Sequence, residues 1–375
     1  MDTTASTPWW QREPGQPGLR VDAEVLRRVP PPPAANGVPL FVGWGSAKHD
    51  SRRGFVDLDR WEGFHEAIKA EPRGLLAEAV RGFFLNGGRR CKLLLLPRAA
   101  PLEAPFRDLH GALADVIDAD LVCVPEAAGA PDVNDAVLEH CEAMADRFAI
   151  LDSPRVARES PPPHRSRFGA LYRPWIGVDR DGRIEFVPPC GHVAGLYARI
   201  DASPGARRAP ANDVLEGVLS LDWEPDERRH ALLNEAGVNC IVAARGRGIR
   251  VMGARTLSGH SAWGYVPVAR LFIGLAHWLK TGMDDLIFDT HTTGLWREVE
   301  RRIRGHCIEL MNSGLLAGTD PATAFSVKCD AETNPPAVRD LGQLVAEVGL
   351  APSVPAEFIV VRVVRDASGI TVTGP

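Results

Sequence analysis

Apolar positions along the middle of this chain follow two periods that take turns. "GVPLFVGWG" and "CKLLLL" are short unbroken apolar runs, which read as strands covered on both faces. Between them Leu75, Leu76, Ala79, Val80, Phe83 and Phe84 recur at helical spacing, with Gly87 placed to stop the helix. A helix near residues 104 to 117, the strand "ADLVCVP", a helix from Pro131 to Arg147 and the strand "FAIL" continue the alternation. This β-α-β-α-β order predicts an α/β fold: a mixed, largely parallel sheet with helices on both faces.

Beyond it, "PPPHRSRFG" is too proline-rich for a core element and reads as an exposed connection. "PCGHVAGLYARID" predicts a helix begun by Pro189, "GVNCIVAA" a strand, and "VPVARLFIGLAHWLKTG" a helix ended by Gly282. "DLIFD" reads as a strand, and "GLWREVERRIRGHCIELMNSG" as a helix with Trp296, Val299, Ile303 and Leu310 on one face. "AFSVKCD" is a further strand, and "PPAVRDLGQLVAEVG" a last helix aligning Val338, Leu341, Val345 and Val348.

Both ends carry strand patterns on spacers. Leu19, Val21, Ala23 and Val25 alternate with Arg20, Asp22 and Glu24 as in a half-buried strand. Prolines 30 to 33 follow; at ~3.1 Å per residue they hold that strand roughly 12 Å from the first core strand. At the other end, after "APSVP", Phe358, Ile359, Val360, Val361, Val363 and Val364 are interrupted only by Arg362, which predicts a strand hidden on both faces. Each terminus reads as an arm whose strand either pairs with another chain or folds back onto its own sheet.

Composition narrows the function. With 375 residues, 45% hydrophobic and 24% charged, the chain has material for one large or two ordinary domains. A net charge of −5 is no signature for nucleic acid. "MDTTASTPWWQREPG" has no apolar core of a signal peptide, and no stretch reaches the ~18 apolar residues of a membrane span, so neither is expected. Seven cysteines without a C-x-x-C pair suit reduced cytoplasmic thiols rather than disulfides.

Three motifs invite a chemical reading. "SGHSAWG" approaches a G-x-S-x-G nucleophile elbow at Ser261, but Trp263 stands where strand–helix packing needs a small residue. Cys190 with His192, and His306 with Cys307, lack the spacing of a structural zinc site and read more simply as core. "ARGRGIRVMG" lacks the P-loop lysine and reads as a turn before "IRV". No catalytic residue, metal or cofactor is expected; a cytoplasmic α/β hydrolase using Ser261 is the distant alternative.

A resemblance weighs more than any of these motifs. "EAVRGFFLNGGRRCKLLLL", "DLVCVPE", "HCEAMADRFAILD", "YRPWI", "VPPCGHVAGLYARID", "LNEAGVNCI", "GRGIRVMGARTLS", "WGYVPVARL", "FSVKCDAETNP" and "VGLAPSVPAEFIVVRV" resemble, in this order, the contractile tail sheath family of contractile phage tails, R-type pyocins and extracellular injection systems. The resemblance implies a structural subunit, not an enzyme. Such subunits stack as hexameric rings around an inner tube and contract to drive that tube through a target envelope. Implied partners are further copies of the chain, the inner tube protein, and baseplate and cap proteins, with no nucleic acid and no membrane insertion. Assembly in the cytoplasm, with release within an extracellular particle or virion, is implied too.

On this resemblance the chain divides into an N-terminal arm (1–35), an α/β core (36–244), a C-terminal domain (245–355) and a C-terminal strand arm (356–375). The arm strands, Leu19 to Val25 and Phe358 to Val364, would complete the sheets of neighbouring subunits. Arg297, Arg301, Arg302 and Arg304, opposite the apolar stripe of their helix, are the candidate contact with an acidic tube; a solvated face laced by Glu298 and Glu300 is the alternative. Departures from the family fall at Ala269, where an arginine is common, and at Asp289, Thr290 and His291. The chain is also short for the family, which implies that outward decorating domains are absent.

Overall fold

The structure, a computed structural model, describes residues 37–48, 54–69, 74–98, 100–109, 111–116, 118–155, 164–202, 209–283, 292–353, 359–366 and 369–373. Leu19, Val21, Ala23, Val25, Phe358, the "DLIFD" segment and Asp289 to His291 therefore lie outside the described residues.

The first strand among the described residues is β1 (Pro39–Trp44), in which Leu40, Phe41 and Val42 are 0–1% exposed, as expected of a strand covered on both faces. Around it runs a nine-stranded sheet built with β3 (Phe55–Leu58), β5 (Cys91–Leu96), β6 (Leu121–Cys123), β7 (Phe148–Asp152), β8 (Gly169–Arg173), β11 (Asp213–Val214), β13 (Val238–Ala244) and β14 (Gly248–Met252). Its order is β11-β14-β13-β8-β7-β6-β1-β5-β3. The stretch from β13 to β5 is parallel; β3, β14 and β11 are antiparallel. From β1 the chain goes through α2 (Leu75–Leu85) to β5 on one side, then returns to β6 on the other and continues through α4 (Pro131–Met144) to β7. Right-handed crossovers run in opposite directions require the two helices to cover opposite faces.

Smaller elements decorate this frame: the pair β2 (Ser46–Ala47) and β4 (Ile68–Lys69), with α1 (Glu62–Ala67), α3 (Ala104–Arg107) and α6 (Glu227–Glu235). A three-stranded antiparallel sheet joins β9 (Ile176–Arg180), β10 (Arg183–Val187) and β12 (Val218–Leu221). Helix α5 (Cys190–Asp201) packs on α2. After α7 (Val266–Gly282) and α8 (Thr293–Asn312) come the short helices α9 (Pro321–Ala324) and α10 (Pro336–Asp340). They accompany a second sheet in the order β15 (Phe325–Lys328), β16 (Leu344–Leu350), β17 (Ile359–Asp366), β18 (Gly369–Thr373), all antiparallel.

Two apolar clusters form, and α7 serves both. Val266, Ala269 and Ile273 enter the cluster of the large sheet, whereas Val268, Leu271, Phe272, Leu275, Ala276 and Leu279 enter that of α8 and the second sheet. Each set keeps the 3–4 spacing of a helical stripe, so one helix presents two buried faces.

Several expectations need correction. The helix near 104 to 117 shrinks to α3 followed by turns, and α4 stops at Met144 because Ala145 turns left-handed (φ 54°). "PPAVRDLGQLVAEVG" is not one helix: α10 ends at Asp340, Gly342 turns at φ 69°, and Leu344–Leu350 is the strand β16. Val345 and Val348 fit a helical spacing, but β16 is flanked on both sides by strands, and that ladder decides its conformation. The terminal strand also differs. Ile359, Val361 and Val363 are buried while Val360 is 44% exposed and Arg362 is exposed, so β17 hides one face, not two.

Candidate assembly surface

The second sheet contains the terminal strand on which the assembly reading depends. Expected in a neighbour's sheet, β17 lies in its own: Leu350 faces Ile359, Val348 faces Val361, and the ladder runs on to Leu344 opposite Arg365. A single chain has only its own β16 edge to offer, and closing it buries Ile359, Val361 and Val363, worth about 5 to 9 kcal/mol as an upper bound. β18 then pairs with β17 through Val363–Val372 and leaves an outer edge of its own. At the opposite edge, β15 alternates Phe325 and Val327 inward with Ser326 and Lys328 outward. Both edges carry backbone groups suited to further pairing.

A side chain finishes the ladder where β15 runs out. Past Lys328 the chain turns around Asp330, whose carboxylate accepts the amides of Glu332 (2.9 Å) and Thr333 (3.1 Å). The turn delivers Asn334, 1% exposed, against β16. Its Nδ2 donates to the Val345 carbonyl (2.9 Å) and its Oδ1 accepts the Val345 amide (2.7 Å). One amide side chain thus stands in for a strand residue and leaves neither backbone group of Val345 unpaired. The only sequence signal for this was "FSVKCDAETNP", read above as part of a resemblance and not as a clamp.

Two buried ionic networks attach α7 to the large sheet. Arg270 donates to Asp120 (3.0 Å) and bidentately to Asp201 (3.1 and 2.5 Å), and its guanidinium lies over the Tyr197 ring (4.9 Å). Burial opposes its charge, but Asp201 and Asp120 overcome that and raise its pKa. Asp120 also accepts the amides of Gly37 (3.0 Å) and Val38 (2.7 Å), the point where the chain enters the core. Nearly three turns later Lys280 donates to Asp146 (2.7 Å) and to the Met144 carbonyl (2.6 Å). Asp146 in turn accepts from Arg147 (2.8 Å), which is 1% exposed and donates to the carbonyls of Leu113 and Val116 (both 2.9 Å). Ala269, noted as a departure, packs in the larger core beside this anchor.

On α8, Leu295, Trp296, Val299, Ile303, Cys307 and Leu310 are buried, and the arginines lie outside that stripe. Arg301 and Arg302 both donate to Glu298 (2.7 and 2.8 Å), and Arg304 donates to Glu300 (3.3 Å) while its guanidinium lies 5.8 Å from the Phe325 ring centroid. Arg297 is exposed. Burial alone would raise the Glu298 pKa; the two guanidiniums hold it below the ordinary range. The structure thus gathers all four on one helix, three of them already paired within it.

The chemical motifs fall in different settings. Cys190 and His192 are buried in α5; a Cβ on Gly82 would sit 2.2 Å from the His192 ring, so only glycine lets α2 come this close. Burial, assisted by Arg81, pushes His192 down to about 4, and burial pushes the Cys190 thiol up. His306 stacks on Trp278 at 4.2 Å, and Cys307 is buried beside it. No cluster of three metal-ligating side chains occurs among the described residues. Ser261 is exposed in a single 3-10 turn, where the neighbouring His260 Nδ1 accepts the Ala262 amide (3.3 Å). "ARGRGIRVMG" forms the β13–β14 hairpin, as the turn reading expects.

Comparison with known proteins agrees with this architecture. The profile of the phage tail sheath protein central domain matches residues 108–257. A putative prophage major tail sheath protein of Pseudomonas aeruginosa is 27% identical over 197 residues, covering 48% of this chain and 47% of that protein. The matched segment spans about half, or less, of the length of the curated relatives it resembles. Among solved structures, the helical sheath of the anti-feeding prophage in its contracted state superposes with a TM-score of 0.74 at 27% identity, covering 92% of this chain and 97% of that one. The contracted sheath complex of the extracellular contractile injection system PVC gives 0.72 at 27% identity, over 86% and 89%. Residues 108–257 thus match the phage tail sheath central domain, and the chain as a whole is similar in fold to the sheath subunits of contractile injection systems.

Proposed function

We propose that this chain is the repeating subunit of a contractile sheath, stacked in hexameric rings around an inner tube, whose contraction drives the tube through a target envelope. The observation that carries the reading is the second sheet: its last two strands come from the chain end, and they join β16 through the connection 351–358. If the β16–β17 ladder opens, the β17 of one copy can make with the β16 of another the same hydrogen bonds it makes at home. Exchange of an identical element costs little and links copies without new chemistry. Linkers then bend while ladders persist, which suits rigid bodies that rotate during contraction. A kinetically trapped extended state and a contracted state with more buried interface would supply the stroke without nucleotide.

On the same reading the chain meets inner tube, baseplate and cap proteins, and leaves its host cell as part of a particle. Negative-stain microscopy of the purified chain tests the proposal. Striated tubes or hollow cylinders are expected, unchanged by Ser261→Ala and formed without ATP; a dispersed monomer at all concentrations, or ATP-dependent contraction of the particle, would overturn it.

A further inference from the structure

The basic groups of this protein are balanced in two different ways. On α8 three of the four arginines, Arg301, Arg302 and Arg304, pair with Glu298 or Glu300. On the β13–β14 hairpin, Arg245 and Arg247 are exposed, and among the described residues neither is paired with a carboxylate. The tip is nonetheless held in shape. Gly246 takes φ 68° to make the turn, and Arg250 braces it, donating to the carbonyls of Arg247 (2.7 Å) and Asn212 (2.6 Å). The braced backbone presents both charges on a preformed turn, so binding need not order the hairpin itself.

The complement is on the same chain. Helix α4 has no lysine or arginine, and Asp132, Asp135, Glu139 and Glu142 recur at i, i+3, i+7 and i+10, so they share one face. Asp132, Glu139 and Glu142 are exposed. Two neighbours with basic side chains face it: His164, whose Nε2 is 4.0 Å from Glu142 and whose backbone amide donates to Asp135 (3.1 Å), and Arg167, which interacts with Glu142 through charge. The hairpin sits toward one end of the nine-stranded sheet, while α4 connects β6 and β7 in its middle.

We propose that the Arg245–Arg247 hairpin of one copy docks on the α4 carboxylate face of the next copy. This rests on the reading of the chain as a self-assembling subunit. Because the two surfaces differ, the contact is heterologous and repeats from copy to copy, closing a ring or extending a helix rather than ending at a dimer. Charge pairing of this kind fixes register and speeds encounter, and it weakens as salt screens it.

Charge reversal tests it on the full chain, read by sedimentation of the polymer alongside monomer melting. Arg245→Glu with Arg247→Glu, and separately Glu139→Lys with Glu142→Lys, are each expected to abolish the pelleted polymer without lowering the melting temperature. The four substitutions combined in one chain are expected to restore it. Polymer yield equal to wild type in either reversed pair, or no recovery in the combined chain, overturns the contact. A wild-type chain that never pellets removes the subunit reading first, and this contact with it.

Discussion

Arg270 reaches across the fold to Asp120, its Nη2 donating at 3.0 Å to the carboxylate that also receives the amides of Gly37 and Val38. One ion pair therefore ties α7, on which both apolar clusters pack, to the place where the N-terminal segment enters the sheet. Arg270→Met would leave Asp120 and Asp201 facing each other with no cation between them. Removing one partner of a buried pair costs about 3 to 5 kcal/mol, so a large drop in urea midpoint is expected, and a midpoint within error of wild type would show the network to be dispensable.

Asn334 makes a more local prediction. Asn334→Ala strips both partners from Val345 and should cost about 1 to 3 kcal/mol for each backbone group left unsatisfied. The loss should be local as well: the Val345 amide should lose its hydrogen-exchange protection while amides in β1 and β6 keep theirs. Protection retained at Val345 would mean that water or a rearranged turn replaces the side chain.

Buried carboxyls give the stability a pH dependence. Burial raises Glu126 from 4.5 to about 7, against the opposing pull of its own backbone contact and the Leu76 amide, which it accepts at 3.0 Å. The folded protein therefore holds this proton more tightly than the unfolded chain. Its stabilisation is complete below about 4.5 and is lost as pH rises through about 7. Burial also pushes His140 and His192 down to about 4, helped by Arg147 and Arg81 respectively; their share is complete above 6.5 and lost as pH falls through about 4. Glu126→Gln should gain on wild type between pH 5 and pH 8, by up to about 3 kcal/mol. Parallel urea curves for the two proteins across that range would contradict the assignment.

Exchange of the terminal strand can be tested in trans. A chain ending at Pro355 lacks Ile359, Val361, Val363 and Val372, so its second cluster opens and its melting temperature should fall. Residues 356–375 supplied as a peptide should bind that chain and restore the melting temperature, since they can rebuild the same ladder. The peptide carrying Val361→Asp should not, because it brings a carboxylate to a position 1% exposed, at a cost of several kcal/mol. If the wild-type peptide fails to bind a folded truncated chain, exchange between copies loses its physical basis.

The α8 arginines separate tube contact from helix solvation. Arg301→Glu with Arg302→Glu would remove both pairs to Glu298 and reverse the exposed charge. Helix stability should fall by only a few tenths of a kcal/mol per pair. Weaker retention of the inner tube, more pronounced at low salt, is expected if this face holds it. Retention equal to wild type at every salt concentration would leave these arginines a solvated face.

Local pattern was sufficient for β1, β5, β6, β7, α2, α5, α7 and α8, because each joins an unambiguous period to a proline or glycine at its boundary. Of the residues weighed for chemistry, Cys190 and His192 lie buried in α5 and Ser261 is exposed in a single turn. What local pattern could not decide was conformation where two periods fit the same residues. Val345 and Val348 satisfy helix and strand alike, and only β15 and β17 on either side make β16 a strand. Nor could composition tell a strand covered twice from one covered once, since β17 buries Val361 and exposes Val360 according to what packs above and below the sheet. The ionic anchors were out of reach for another reason: Arg270 lies 150 residues from Asp120 and 69 from Asp201. Charges that far apart along the chain carry no local pattern, and whether they meet, desolvated and paired, depends on how the helices are laid across the sheet.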